Sequence, residues 1–274
     1  MRLAYQGEPG AYSEAAARRF APHAEMLPCK TFDEVFDSVV QKRATHGVLP
    51  MENSIGGTIH RNYDLLVDHD VPIVGEVELD VVHCLQALPG TKLADIKTVY
   101  SHPQALAQCE RFLKGLGVTV EAVYDTAGGA KLVAEERLAN AAALASRRAA
   151  EVFGLEVIQE AVQDFEFNIT RFFVIGEAAP TDANKTTIVF ALPSTPGSLY
   201  RALSVFALRD INLSKLESRP IRGRPWEYLF YVDIDTRRDE APCASALAQL
   251  GEFATWVRVL GTYRGWERAK PSPS

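Results

Sequence analysis

Cysteine is scarce in this 274-residue chain. The four residues are Cys29, Cys84, Cys109 and Cys243, none in a C-x-x-C pair. That spacing excludes a zinc ribbon and a thioredoxin-type motif, and buried free thiols are the expected state. No stretch reaches the ~18 uninterrupted apolar residues of a membrane span. Residues 1–7 lack both the apolar core of a signal peptide and the Arg/Ser character of a transit peptide. A cytoplasmic location is therefore expected. There is no excess of positive charge: the net charge is -6, so nucleic acid is not the default partner. The dinucleotide pattern G-x-G-x-x-G, the P-loop and the G-x-S-x-G elbow are all missing. The six histidines form no H-x-x-x-H pair, and His60 and His69 are too loosely spaced to suggest a metal site.

What is present is an ordinary globular composition, 47% hydrophobic and 23% charged. At ~150 residues per domain the length suggests about two domains. The charge is split. Residues 1–185 hold 17 Lys+Arg against 26 Asp+Glu, and residues 186–274 hold 12 against 9. Such asymmetry fits two units.

Short strands alternating with helices predict an α/β domain over the first part. Strands are expected at 3–6, 47–50, 71–77, 98–100, 118–123, 141–145 and 171–176. Helices are expected at 13–20, 32–42, 58–67, from 101 to 113, from 125 to about 139 and from 146 to 153. Residues 177–182 read as a linker. The remainder has another rhythm: strand 187–192, helix 198–209, strands 213–218 and 226–234, helix 244–253 and strand 256–260. That order, βαββαβ, is ferredoxin-like. Residues 270–274 read as a frayed tail.

One device recurs in the first part. A strand ends, a Ser or Thr follows, and a helix begins: at Ser13, at Ser54 through Thr58, at Ser101, at Thr126 and at Ser146. Each suits an N-cap. In an open α/β sheet, ligands lie at the carboxyl ends of strands, where helix N-termini favour anions. Glu52-Asn53-Ser54 and Ser101-His102-Pro103-Gln104 place more polar groups there than capping requires. Thr170-Arg171 opens a strand inside the aromatic run 165–173. His83 and Cys84 sit in a strand pattern, where neighbours face opposite sides, so they make a poor nucleophile–base pair.

Taken together, several segments make the chain resemble the prephenate dehydratase family, and within it the arogenate dehydratases. They are Ala4–Ser13, Leu49–Thr58, Ser101-His102-Pro103-Gln104, Asp125-Thr126-Ala127-Gly128 and Asn168-Ile169-Thr170-Arg171-Phe172. The C-terminal part resembles an ACT regulatory domain, with Pro196-Gly197-Ser198-Leu199 and Glu217-Ser218-Arg219-Pro220 at that family's effector motifs. Three details depart from the common bacterial pattern: Ala11-Tyr12, Asp125 before Thr126, and Gly129. The first two, with residues 60–66, are similar to the plant arogenate enzymes. The plant-type leader is missing and the segment after Pro220 is shorter, so a bacterial member is expected.

The resemblance implies a two-lobed, periplasmic-binding-protein-like α/β catalytic domain over 1–178 and an α+β ferredoxin-like ACT domain over 186–264. It implies a lyase that converts prephenate to phenylpyruvate, arogenate to phenylalanine, or both. Aromatisation drives the loss of CO2 and water, so no metal or other cofactor is expected. Thr170 is the implied catalytic residue, Arg171 a bidentate carboxylate ligand and Phe172 a wall for the ring. Asn53, Ser54, Ser101, Gln104 and Thr126 are implied substrate ligands. Glu52 and His102 each fit either an acid or an orienting group. Gly197, Ser198, Leu199, Asn212, Leu213, Glu217, Ser218 and Arg219 are implied to bind phenylalanine as a feedback ligand. A homodimer or homotetramer is expected, with no nucleic-acid or membrane partner. The rival from another class is a non-catalytic amino-acid sensor built from the same two domains.

Overall fold

The structure, a computed structural model, describes residues 1–177 and 181–266. The expected tail at 270–274 and residues 178–180 of the expected linker lie outside the described residues. In chain order the elements are β1 (Arg2–Gln6), α1 (Tyr12–Phe20), β2 (Glu25–Cys29), α2 (Phe32–Val40), β3 (His46–Asn53), β4 (Gly57–Thr58), α3 (His60–Asp68), β5 (Ile73–Asp80), β6 (Cys84–Ala87), β7 (Thr98–Ser101), α4 (Pro103–Gln108) and α5 (Glu110–Leu116). There follow β8 (Thr119–Ala122), α6 (Thr126–Glu135), β9 (Ala141–Ala145), α7 (Arg147–Phe153), β10 (Glu156–Gln159), β11 (Ile169–Gly176), β12 (Lys185–Ala191), α8 (Ser198–Ala207), β13 (Leu213–Pro220), β14 (Tyr228–Ile234), α9 (Ala241–Phe253) and β15 (Trp256–Arg264).

Two compact units result. One comprises residues 1–65 with 77–173, the other residues 66–76 with the chain from 174 onward. The first unit holds two sheets. In one, strands run in the order β11-β3-β1-β2, with β4 on β3. Strand β1 pairs in parallel with both β2 and β3. Its Leu3, Ala4 and Tyr5 are fully buried, as a parallel strand covered on both faces requires. The other sheet runs β10-β6-β9-β7-β8. Its centre, β9, is AAALA and buried throughout. These small side chains let Ala127, Ala130 and Val133 of α6 and Ala149 and Ala150 of α7 pack onto it. Gly10 sits at φ +91°, and a Cβ there would lie 2.7 Å from the Ala149 Cα, so glycine alone fits. The Ser146 hydroxyl completes this approach by donating to Gly10 O at 2.6 Å.

The second unit follows the βαββαβ order with its sheet running β13-β14-β12-β15, each neighbour antiparallel. Its core joins Ile188 and Phe190 of β12, Ala202, Val205 and Phe206 of α8, and Cys243, Ala246 and Leu250 of α9. Residues 66–76 belong here because Arg258 donates to the carbonyls of Leu66, Val67 and His69 at 2.6–2.9 Å.

Local differences from the sequence reading have physical causes. Strand β2 was not foreseen: EMLPC contains Pro28, and it pairs at a sheet end with β1 alone, where proline is tolerated. Strand β10 was too short to stand out. The helix expected to run to 113 breaks at Cys109, whose φ of -117° and ψ of 21° are not helical. Of the expected caps, Ser146 alone is one, accepting from Ala149 N at 3.1 Å. His102 caps α4 in place of Ser101, and Asp125 caps α6 in place of Thr126. Ser13 lies inside α1, whose first turn is bonded by Glu14 accepting from Gly10 N. All four cysteines are buried and free. Among the described residues no helix is long and apolar enough to cross a membrane.

Candidate active site

A cleft of about 520 Å³ opens in the first unit, lined by strands β1, β3 and β11 of one sheet and by loops and helix starts adjoining the other. Strand β11 contributes Thr170 and Phe172, because successive side chains on a strand face opposite ways. Asn53 stands at the end of β3, Tyr12 and Ser13 at the start of α1, and Thr126 at the start of α6. His83, His102, Gln104 and Gln108 join them, with Gln6, Lys30, Thr31, Asp33 and Asp125 also on the polar lining. Thr170 and Phe172 are both nearly buried.

The polar groups at the base form one connected network. Asn53 Oδ1 accepts from the backbone N–H groups of Ile55 (3.1 Å) and Gly56 (2.7 Å). This fixes the amide, so Nδ2 points at β11. There it donates to Asn168 Oδ1 at 2.7 Å, Thr170 Oγ1 at 3.0 Å and Ile169 O at 3.2 Å. Gln108 Nε2 donates to Asn53 Oδ1 at 3.2 Å, and Asn168 Nδ2 donates to Gln108 Oε1 at 2.9 Å. His83 Nε2 lies 2.8 Å from that same Oε1, and its Nδ1 lies 3.0 Å from the Tyr12 hydroxyl. The consequence for Thr170 is direct. Its oxygen accepts from Asn53, so its own hydrogen is not used in that bond.

Electrostatics follow from burial. The imidazoles of His83 and His102 are pushed below their ordinary value by desolvation; for His83 a bond to Gln108 opposes this, for His102 the Asp125 carboxylate does. Burial raises the Asp125 carboxyl, against the stabilising backbone N–H groups of Gly128 and Glu8. Lys30 is the Lys or Arg side chain on the lining among the described residues. No group of three His, Cys, Asp or Glu poised for a metal occurs among the described residues.

Of the residues singled out from sequence, Thr170, Phe172, Asn53, His102, Gln104 and Thr126 line the cleft. Four do not. Arg171 alternates with Thr170 and so faces away from it. Its guanidinium lies 4.7 Å from the Phe173 ring centre, and Nη1 is 3.9 Å from Glu52 Oε2. Neither Arg171 nor Glu52 is on the lining of the cleft. Ser54 accepts from Ile169 N at 3.0 Å, tying the β3 end to β11. Ser101 is fully buried and donates to Leu144 O at 2.6 Å. Sequence reading gave no role in the site to Tyr12, Lys30, His83, Gln108 or Asn168. Gln108 is the last residue of α4 before the break at Cys109, a position no motif marks.

In the second unit Gly197 is the N-cap of α8 at φ +78°. Ser198 and Leu199 line a hollow of about 400 Å³ with Thr195, Trp226 and Tyr228. Ser198 Oγ and Thr195 Oγ1 are 2.7 Å apart. Asn212 donates to Asp235 at 2.5 Å and Lys215 lies 3.7 Å from Glu217. Asn212, Leu213, Glu217, Ser218 and Arg219 stand on or beside β13 and do not line that hollow.

Two family models match the chain. Residues 3–180 match the family model for prephenate dehydratase, and residues 186–252 that for the ACT domain. A plant protein, arogenate dehydratase/prephenate dehydratase 2, chloroplastic, of Arabidopsis thaliana, is 50% identical over 276 residues, covering 96% of this chain and 72% of its own. The crystal structure of a prephenate dehydratase in complex with L-Phe from Arthrobacter aurescens is 30% identical with a TM-score of 0.88, covering all of this chain and 92% of its own. A solved structure described as GqqA, a novel type of quorum quenching acylase, is 35% identical with a TM-score of 0.90, covering 97% of this chain and 98% of its own. The names also correct one expectation. Several of the Arabidopsis relatives are chloroplastic, which overturns the cytoplasmic location read from residues 1–7.

Proposed function

Because the chain belongs to the prephenate dehydratase family, we propose that residues 1–178 carry out the decarboxylating dehydration with Thr170 as the catalytic residue, while residues 186–264 sense phenylalanine. The activity is that of a prephenate or arogenate dehydratase with an ACT domain, and the non-catalytic sensor falls away. The observation that supports the Thr170 assignment is the bond from Asn53 Nδ2 to its oxygen at the cleft lining, which leaves the Thr170 hydrogen available to a substrate there.

The chemistry follows from that geometry. The ring carboxylate leaves as CO2, and the electrons of its C–C bond enter the ring. The C–O bond at the opposite carbon breaks, and the hydroxyl departs with a proton as water. Thr170 hydrogen-bonds the departing oxygen as negative charge grows on it, a contribution of typically 10²–10⁴-fold. A threonine hydroxyl is too weak an acid to give up its proton outright, so solvent supplies the net proton. Phe172 walls the ring. Lys30, with the N–H groups at the starts of α1 and α6, receives carboxylate. Thr126, Gln104 and His102 position the remainder, His102 as the neutral cap of α4.

In the second unit, the N–H groups behind Gly197 would take the α-carboxylate of phenylalanine, and the hollow beside Trp226 its side chain. The L-Phe in the Arthrobacter dehydratase supports this reading. We also assign a homodimer or homotetramer: β13 ends the sheet, with no strand on its outer side among the described residues. Sedimentation equilibrium tests that assignment.

The deciding experiment measures phenylpyruvate from prephenate and phenylalanine from arogenate. Thr170→Ala is expected to lose at least ~10²-fold in kcat with KM little changed. Retention of near-normal kcat would remove Thr170 from the mechanism. The likeness to an acylase supplies a second reading, hydrolysis of an N-acyl substrate. Such chemistry calls for a nucleophile within hydrogen-bond reach of a base. His83 instead meets Tyr12 and Gln108, while Thr170 meets Asn53. Release of a free amine from N-acyl amides, assayed in parallel, separates the two readings.

A further inference from the structure

The network beneath Thr170 ends on a histidine that the dehydration itself does not employ. Its chemistry is fixed from the backbone outward. The N–H groups of Ile55 and Gly56 both point at one atom of the Asn53 amide, so that atom is the oxygen. The Gln108 atom facing this oxygen must then be Nε2, which leaves Oε1 facing His83. Asn168 also donates to Oε1. A carbonyl oxygen only accepts, so His83 Nε2 must carry a hydrogen. The orientation of three amides and one imidazole thus descends from two backbone N–H groups.

On the other side, the Tyr12 hydroxyl lies 3.0 Å from His83 Nδ1 and 2.7 Å from Val82 O. Gln163 Oε1 accepts from His83 N at 3.1 Å. In the neutral Nε2–H form Nδ1 accepts, so the single Tyr12 hydroxyl hydrogen is shared between it and Val82 O, while Gln108 holds Nε2 and Gln163 the backbone.

We propose that His83 is a positioning residue for the reaction: its Nε2–H holds Gln108, Gln108 holds Asn53, and Asn53 holds the Thr170 hydroxyl with its hydrogen toward the leaving group. The proposal rests on Thr170 acting as assigned above. Amides do not pass protons readily, so the chain transmits orientation. Misplacing a catalytic group by about 1 Å costs on the order of 10²-fold in rate. Both the neutral Nε2–H tautomer and the imidazolium carry the needed hydrogen, so the role survives titration of His83. The titratable groups around the Tyr12–His83 pair are Cys84, beside it in the chain, and Cys109, at the end of α4. Burial raises the thiol of each.

The test uses paired substitutions. A glutamine side chain places its amide nitrogen near the position of Nε2, whereas asparagine reaches only as far as Nδ1. His83→Asn is expected to lose ten- to a hundredfold in kcat with KM within about threefold. His83→Gln is expected to recover most of that loss and to keep the wild-type pH profile of kcat. Thr170→Ala runs alongside. If Thr170→Ala turns over normally, the reading beneath the proposal fails. If Thr170→Ala is inactive and His83→Asn is as fast as wild type, the positioning role alone fails. It also fails if His83→Gln is as slow as His83→Asn at matched melting temperatures, or if an acid limb of the wild-type profile disappears in His83→Gln. Should His83→Asn not fold, ¹⁵N NMR of the wild-type imidazole decides: a hydrogen on Nε2 supports the network, and the Nδ1–H tautomer overturns it.

Discussion

Asn53→Asp is the most exacting single perturbation of this site, because it changes one atom's hydrogen-bonding character and almost no volume. The retained oxygen still accepts from Ile55, Gly56 and Gln108. The new oxygen replaces Nδ2, and faces Asn168 Oδ1, Ile169 O and Thr170 Oγ1 at 2.7–3.2 Å. Two of these are carbonyl oxygens with nothing to donate. Lost net bonds at ~1 kcal/mol each, with a penalty for the acceptors left facing a carboxylate, give a destabilisation of about 2–4 kcal/mol. A domain stable by ~5–15 kcal/mol still folds. Thr170 has a hydrogen, and will turn it toward the introduced carboxylate and away from the cleft. Turnover should fall by at least ~10²-fold at neutral pH, the lower range of a lost proton-donor contact. Desolvation and the facing carbonyls raise the folded-state pKa of the introduced carboxyl above its unfolded value. The folded state then binds the proton more tightly, so both stability and turnover recover as pH falls through that raised value. The measurement is kcat across pH with both substrates, beside urea midpoints for the same protein. An Asn53→Asp enzyme with kcat within threefold of wild type at pH 7.5 refutes the orientation argument.

Three further outcomes are expected. Arg171→Met should lose about 1 kcal/mol of stability through the Phe173 contact, its ion pair with half-exposed Glu52 contributing little, while KM stays within about threefold; a KM rise beyond tenfold would return Arg171 to substrate binding. Desolvation lowers the imidazoles of His46, His83 and His102 below 6.5, so the unfolded chain binds more protons below that pH and stability falls as pH falls from 6.5; denaturant midpoints at pH 7.5 and 5.5 check the sign, and His83→Gln should flatten the slope. Gly197→Ala places a Cβ at φ +78°, costing about 1–2 kcal/mol, and calorimetric titration should show phenylalanine binding weakened.

The fold was legible where periodicity was strong, and the site was legible only in part. The order βαββαβ could be read because α8 buries Ser198, Ala202, Val205 and Phe206 at helical spacing, β13 alternates half-buried with exposed positions, and β12 and β14 are short apolar runs. β2 and β10 could not, being four or five residues long at the ends of their sheets. Asn53, Thr170 and Thr126 sit in motifs dense enough in polar residues to attract notice. Arg171 shared such a motif, yet the period of two that β11 imposes was enough to place it opposite Thr170. His83, Gln108 and Asn168 are joined by hydrogen bonds that cross 25 to 60 residues. No local pattern encodes a partner at that distance. The caps moved by one residue for a local reason: His102, one position after Ser101, and Asp125, one position before Thr126, offer acceptors as good as a hydroxyl.

The connectivity of the base of the cleft also sets when the site comes into being. Asn53 meets Thr170 across 117 residues, and Tyr12 meets His83 across 71. Contacts so distant in sequence close large loops and form late, after local helices and hairpins have spent their shorter search. The Thr170 hydroxyl is therefore expected to acquire its orientation among the last events of folding. During refolding from urea, helical signal should return before turnover does, and a chain paused short of the native state carries every reacting group without the alignment that makes them act.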